Sequence, residues 1–89
     1  MARSITLELT EAGRKAMIAF LARCTPGSIV ALEWLESDSS WSVGAFNQTK
    51  VPASEVVMIS GIPFVFLPKD LQRLNGRTLD HRGGIFCVD

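Results

Sequence analysis

Cysteine and histidine, the residues that most often build metal and catalytic sites, are scarce in this sequence, whose 89 residues include two cysteines and one histidine. Charge of one sign is not in excess, because nine Lys and Arg oppose nine Asp and Glu, so no net field favours nucleic acid. No apolar run approaches the roughly 18 residues that span a bilayer, and residues 1–10 lack the apolar core of a signal peptide. These absences predict a cytoplasmic protein with no nucleic-acid or membrane partner.

Catalytic and phosphate-binding motifs are also missing. The sequence contains no Ser-His-Asp order, no carboxylate pair placed for acid–base chemistry and no phosphate-binding glycine loop. Gly83 and Gly84 follow a predicted strand but open no helix, which a phosphate cradle requires. His81 adjoins Asp80, yet neighbours in a strand point to opposite faces, which favours a part-buried histidine at a strand end. We therefore expect no enzyme and no cofactor; a small enzyme that uses His81 is the alternative.

The two cysteines, Cys24 and Cys87, are far apart and lie among apolar neighbours. Structural zinc usually needs clustered thiolates or imidazoles, and thiols of cytoplasmic proteins stay reduced. Both cysteines are therefore expected to be reduced, buried core residues. The spacing of His81, Cys87 and Asp89 would allow a metal site, but only one imidazole is available to it. We expect no metal, and these three residues are the candidate ligands for one.

Apolar residues make up 47% of the sequence, enough for the core of one small domain spanning residues 1–89. Alternating apolar residues predict a strand at 5–9. Thr10 then caps a predicted helix that runs to Cys24. Gly13 marks either a small energetic cost inside this helix or a close contact. Apolar residues recur on one helix face at spacings of three and four, namely Met17, Phe20, Leu21 and Cys24.

The stretch from residue 56 to residue 81 predicts two strands, a short helical turn and a third strand. Residues 56–59 and 62–67 carry apolar side chains on both sides, so both faces are expected to be buried. Pro63 lacks a backbone donor and is expected at a strand start or on an edge. A helical turn is predicted at residues 69–74, and it ends at Asn75 and Gly76. Two more strands follow, one from residue 78 on and one at Ile85–Val88.

Residues Ser28–Leu35 and 41–46 are typical of a hairpin with a polar loop, and residues 47–54 form another loop. About seven short strands and one long N-terminal helix predict an α+β domain. The expected architecture is a small β-sandwich or partial barrel, with mainly antiparallel or mixed pairing and the helix over one face.

Opposite charges are concentrated in two segments. The basic segment, late in the chain, contains Lys69, Arg73, Arg77 and Arg82. The acidic segment, in the middle of the chain, contains Glu33, Glu36, Asp38 and Glu55. This polarity could steer a protein partner or pair molecules head to tail, although ordinary surface charge is the favoured interpretation. Trp41, beside a serine-rich turn, is either an exposed contact residue or packed beneath the loop.

Two long stretches, ITLELTEAGRKAMIAFLA at 5–22 and VVMISGIPFVFLPKDLQRLNGRTLDH at 56–81, resemble the HesB-like, A-type iron–sulfur carrier family. Its motif L-x-G-x-x-L/I-D-Y/H and its closing Gly-x-F strand fall on these positions: Leu74, Gly76, Leu79, Asp80, His81, Gly84 and Phe86. The resemblance covers nearly the whole chain. It implies a compact β-sandwich-like fold with one long helix.

The family holds iron or a cluster with three cysteines, one in a Gly-rich segment after the second strand and two in a C-x-C or C-G-C tail. Here the matching hairpin has serines and Trp41, and the chain ends at Asp89, before such a tail. Cys24 and Cys87 fall outside the ligand positions that the resemblance implies. Serine is a poor substitute for the thiolates of an iron–sulfur site, so we expect no cluster.

Together, the residues and the resemblance predict a non-catalytic HesB-like scaffold that lacks the ligand cysteines. It would act through contacts with an unknown protein partner, as a monomer or weak homodimer, in iron–sulfur or sulfur metabolism. The alternative is a genuine iron or iron–sulfur carrier that uses Cys87 across a dimer interface.

Overall fold

Seven strands and two helices make up residues 5–89, the part of the chain that the computed structural model describes. In chain order they are β1 (Leu7–Leu9), α1 (Glu11–Ala22), β2 (Ser28–Leu35), β3 (Ser40–Asn47), β4 (Val57–Ile59), β5 (Ile62–Phe66), α2 (Leu71–Leu74), β6 (Arg77–Arg82) and β7 (Ile85–Val88). Short 3-10 turns occupy Gln48–Lys50, Ala53–Glu55 and Pro68–Asp70. The expectation about a signal peptide rests partly on residues 1–4, which lie outside the described residues.

The strands form two small sheets with mixed pairing. One sheet has the order β1-β6-β7 and the other has the order β3-β2-β5-β4. β1 pairs parallel with β6, and β2 pairs parallel with β5, while the other pairs are antiparallel. The α+β prediction is therefore confirmed. The partial-barrel alternative is wrong, because the strands of residues 5–89 divide between two separate sheets.

The core draws side chains from both sheets and both helices. Its fully buried members include Met17 of α1, Phe64 of β5, Leu74 of α2 and Leu79 of β6. Trp41 packs against this cluster and lies edge to face with Trp34 at a centroid distance of 5.3 Å. Of the two alternatives for Trp41, packing is therefore the one observed.

Helix α1 begins where the sequence predicts and ends two residues earlier. The Thr10 hydroxyl accepts a hydrogen bond from the Gly13 amide at 3.0 Å, which caps the first turn. The predicted end at Cys24 is wrong, because the amides of Arg23 and Cys24 bond three residues back and tighten the last turn. Neither helix within residues 5–89 has the length and apolar content that crossing a bilayer requires.

Strand β5 is covered on one face. Ile62, Phe64 and Phe66 are buried, whereas Val65 is half-buried and Leu67, just after the strand, is 44% exposed. The prediction of burial on both faces is therefore wrong, since the far side of this sheet is only partly covered. Pro63 comes just before the β2–β5 ladder, which begins at Phe64, so its missing donor is tolerated there.

Candidate functional site

The three candidate metal ligands lie in the β6–β7 hairpin, but on different faces of it. The register places Asp80 opposite Cys87 and His81 opposite Phe86, so the His81 and Cys87 side chains point to opposite sides. The imidazole of His81 packs edge to face on the Phe86 ring at 4.7 Å. Within residues 5–89, no three His, Cys, Asp or Glu side chains come together as a metal site. The structure therefore does not assemble His81 with Cys87 and Asp89.

Arg82 bridges Cys87 and Asp89 on the face that these two residues share. Its Nε donates to the Cys87 Sγ at 3.1 Å, and its Nη2 donates to both Asp89 carboxylate oxygens at 2.8 and 2.9 Å. The bond to the Cys87 sulfur, followed by the bond to the Asp89 carboxylate, raises the pKa of the Arg82 guanidinium. The Arg82 guanidinium is therefore hydrogen-bonded to the Cys87 sulfur and the Asp89 oxygens, which are the atoms that would have to coordinate a metal here.

Asp80 links this hairpin to the start of α1. Its Oδ1 accepts hydrogen bonds from the Thr10 hydroxyl at 2.6 Å and from the His81 amide at 2.8 Å. The bond from Thr10 contributes most to a lowered pKa of the Asp80 carboxyl, followed by the His81 amide, with the Arg82 charge adding to the effect. The Thr10 amide also donates to the Leu79 carbonyl at 3.0 Å. The Asp80 carboxylate therefore has a structural role: it connects β6 to the start of α1, and its Oδ1 already accepts two hydrogen bonds.

The two cysteines are half-buried, so the prediction that both are buried core residues is wrong. The Cys24 thiol donates to the Phe20 carbonyl at 3.4 Å near the end of α1, where the chain leaves the core. Cys87 lies on the face of β7 that carries Arg82 contacts, away from the side of the strand that packs on the core. Both thiols are free within the described chain.

The acidic and basic segments meet around Trp34, at the end of β2. Lys69 Nζ donates to the Trp34 carbonyl at 2.8 Å and pairs with the buried Asp70 and with Glu33, at 3.2 and 3.6 Å. Arg73 lies over the Trp34 ring at 5.4 Å and pairs with a glutamate of the hairpin loop, Glu36, at 3.3 Å. These opposite charges are therefore satisfied within the molecule, which leaves less of them to steer a partner.

Asp70 fixes this arrangement from inside. Its side chain is fully buried, and its Oδ2 accepts a hydrogen bond from the Trp34 amide at 3.2 Å. The cavity beside it, about 380 Å³, is bordered by charged groups that already have partners. We therefore interpret this cluster as a clamp between β2 and α2.

A different surface, missed from the sequence, is open and mostly apolar, although Glu33 and Ser42 also border it. The side of the four-stranded sheet that faces away from the core, here called the outer face, carries Ala31, Gly44, Phe46, Val65 and Leu67 around a cavity of about 210 Å³. Phe46 is 52% exposed. Exposed apolar clusters of this kind commonly mark protein contact sites.

The outer face continues into a second cavity of about 360 Å³, here called the Phe46 groove. Its walls are mostly apolar and come from the end of β3, the end of β5 and the loop between β3 and β4: Phe46, Lys50, Val51, Pro52, Glu55, Val65, Phe66, Leu67 and Pro68. The sequence offered one signal for it, the apolar alternation on both sides of residues 62–67. This alternation predicts burial on both faces, whereas in the structure the face that carries Val65 and Leu67 is partly exposed.

Comparison with known proteins adds no family to these observations. No protein-family model matches the sequence, and no curated protein matches it either. Membership of the HesB-like family therefore stays a proposal, and the functional interpretation depends on the chain's own residues.

Proposed function

We propose that this chain is a divergent HesB-like domain without catalytic activity, which acts through contacts with a partner protein, in iron–sulfur or sulfur metabolism. Two observations support the HesB-like architecture. One is the two-sheet α+β fold with a 12-residue N-terminal helix. The other is the position of the L-x-G-x-x-L-D motif at the junction of α2 and β6, where Leu74 and Leu79 are fully buried and Gly76 adopts a φ of 77°.

The thiols of this chain do not fit the three-cysteine site that the resemblance implies. No cluster of three potential ligands forms among residues 5–89, and residues 1–4 contain no Cys, His, Asp or Glu. In addition, the Cys87 sulfur already accepts a hydrogen bond from Arg82. The proposed function therefore involves no cluster held within one chain.

The open Phe46 groove is the observation that carries the proposal. Its volume of about 360 Å³ admits an apolar side chain with its neighbours, and burying one such side chain contributes about 1.5–3 kcal/mol. The walls come from the ends of β3 and β5 and from a loop that contains two 3-10 turns. A partner segment that presents one or two large apolar side chains fits this chemistry.

Peptide selection tests this function without a known partner. Immobilised protein is used to select from a random phage-displayed peptide library, and we expect a consensus with one or two large apolar residues. The selected peptide is then titrated into wild type, Leu67→Lys and Ile18→Lys by calorimetry. Ile18 on α1 is a matched control, because its exposure of 43% is close to the 44% of Leu67.

We expect Leu67→Lys to weaken peptide binding at least about tenfold, which is about 1.4 kcal/mol, because a charged side chain replaces an apolar wall of the groove. Ile18→Lys should bind like wild type. Selection without an apolar consensus, or equal losses in both variants, would show that the groove is not the contact site.

An iron or iron–sulfur carrier that uses Cys87 across a dimer interface is the second candidate. The observation that favours it is the free, half-buried Cys87 thiol. Metal reconstitution with a Cys87→Ser variant separates the two functions.

A further inference from the structure

Among residues 5–89, the longest edge strand, β3, has one edge without hydrogen-bond partners. β3 has eight residues, whereas the other edge strands, β1, β4 and β7, have three, three and four. All eight residues of β3 pair with β2 on one side. On its other side, no β3 backbone group forms a hydrogen bond with any of residues 5–89.

The usual devices that block edge pairing are also missing from β3. Its sequence, SWSVGAFN, contains no charged residue and no proline. Its ladder with β2 is continuous from Ser28↔Asn47 to Leu35↔Ser40, with no bulge. Natural proteins normally protect long edges with charges, prolines, bulges or a covering element. β7 of the other sheet comes close to β3 but forms no backbone hydrogen bond with it. An unpaired edge of this length that lacks charge, proline and bulge therefore indicates a strand that joins another strand.

We propose that β3 pairs antiparallel with β3 of a second copy of this chain, about a two-fold axis that passes through Gly44. The two four-stranded sheets then form one continuous sheet of eight strands. This assembly goes beyond the proposed function, which concerns a different protein bound in the Phe46 groove.

The side chains of the outer face are complementary to themselves in this register. Gly44 pairs with Gly44 of the second copy, and Ser42 pairs with its Phe46, so outer-face residues stay on one face. A side chain at Gly44 would meet nothing within 4 Å, which leaves open space beside the strand. Phe46 of the second copy, half-exposed in the single chain, lies diagonally across from this space. An aromatic ring that covers a strand glycine from the neighbouring strand stabilises the pair.

The charges beyond the ends of β3 favour a second copy over an unrelated strand. Asp38 precedes the strand and Lys50 follows it, and neither forms an ion pair within residues 5–89. In the Gly44-centred register, Asp38 of one copy lies at the same end as Lys50 of the other. The two-fold axis repeats this attraction, so two opposite-charge pairs form on assembly.

Edge pairing through one strand covers less surface than the roughly 800 Å² per partner of a standard interface. We therefore expect a weak, reversible dimer. Sedimentation velocity on the full chain, over a concentration series up to about 1 mM, should show a monomer–dimer equilibrium in the wild type.

Gly44→Lys and Met58→Lys are the matched pair that tests the interface. Gly44→Lys places two like charges opposite each other at the axis, and the single chain has space for the new side chain. Met58, 62% exposed, lies on β4, the other edge of the same sheet. We expect Gly44→Lys to weaken the dimer at least tenfold and Met58→Lys to leave it unchanged, with circular dichroism confirming that both fold.

Two further measurements make the result independent of any one variant. In a Cys24→Ser, Cys87→Ser background, mild oxidation should cross-link Gly44→Cys into a covalent dimer and leave Met58→Cys monomeric. Asp38→Lys should weaken the dimer, and Asp38→Lys combined with Lys50→Asp should restore it. A wild type that stays monomeric at 1 mM, equal effects of the two lysine variants, or equal cross-linking of the two cysteine variants would each overturn the proposal.

Discussion

The hydroxyl of Thr10 joins two parts of the chain that lie 70 residues apart in sequence. It accepts a hydrogen bond from the Gly13 amide and donates one to the Asp80 carboxylate. One oxygen thus caps α1 and holds the carboxylate of β6 in its charged form. The sequence predicted the cap, because Thr before an amphipathic run is a local signal. It could not predict the bond to Asp80, which depends on how β6 packs.

Replacing Thr10 by Val keeps the shape of the side chain and removes its hydroxyl. Because the Thr10 bond contributes most to the lowered pKa of Asp80, that pKa should rise toward its ordinary value of 3.8 in the variant. The lowered pKa stabilises the folded chain above pH 4, and this stabilisation is lost as the pH falls through the folded-state pKa. The variant should therefore lose less stability on acidification than wild type. An NMR titration of the Asp80 carboxyl carbon measures the shift.

Thr10→Ser is the control for this experiment, since it keeps the hydroxyl and should keep the pKa low. Loss of the cap should also cost Thr10→Val about 1 kcal/mol at neutral pH, as urea unfolding measures. An unchanged Asp80 pKa in Thr10→Val would contradict the assignment of the Thr10 hydroxyl as its main cause.

At the scale of elements, α1 lies directly on the backbone of β6. A Cβ added at Gly13 would lie 2.7 Å from the Leu79 carbonyl oxygen, closer than real contacts allow. Glycine here is therefore a requirement of packing, which the sequence had left open between a small energetic cost and a close contact. The second of these alternatives is the one observed.

Gly13→Ala should destabilise the fold although alanine is the better helix former. The added methyl group must push α1 away from β6, and overpacking of this kind costs about 1–3 kcal/mol. Gly44→Ala, the same substitution at an open strand position, should be neutral or slightly stabilising, since nothing lies within 4 Å of the new carbon. Urea unfolding of both variants decides the matter, and a Gly13→Ala variant as stable as wild type would contradict the close contact.

Local sequence signals placed the bounds of some elements but not of all, since α1 ends at Ala22 instead of Cys24 and β1 begins at Leu7 instead of residue 5. The bounds of β2 and β7 are confirmed, because alternation and flanking turns define them within a few residues. The parallel pairing of β1 with β6 has no local signal, since it joins Leu7 to Arg77. The exposure of Leu67 was equally out of reach, because a strand's own residues do not tell which of its faces another element covers.

At the scale of the whole molecule, half of the acidic segment pairs with half of the basic segment. Glu33 and Glu36 pair with Lys69 and Arg73 across the junction of β2 and α2. The composition shows only that the numbers of positive and negative residues are equal. The fold brings these particular residues close enough to form ion pairs. These paired charges are therefore less available for the head-to-tail attraction that the sequence suggested. The apolar outer face is the better candidate for a contact surface.

Anaerobic incubation with ferrous iron and sulfide distinguishes the two proposed functions at this scale. We expect no cluster absorbance that depends on cysteine, because the thiols within one chain are too few. The carrier function instead requires a stoichiometric cluster, a dimer in gel filtration and loss of both in Cys87→Ser. Cys24→Ser serves as the control, since the carrier function assigns Cys24 no role.

The parallel pair β1–β6 also has a consequence for synthesis on the ribosome. α1 is complete at Ala22, but β6, the strand that covers it, begins at Arg77 and is translated about 55 residues later, roughly 3–11 s at 5–20 residues per second. During that interval the nascent helix keeps its apolar face uncovered. We therefore expect the emerging chain to be a substrate for chaperones that bind hydrophobic segments before the polypeptide is released.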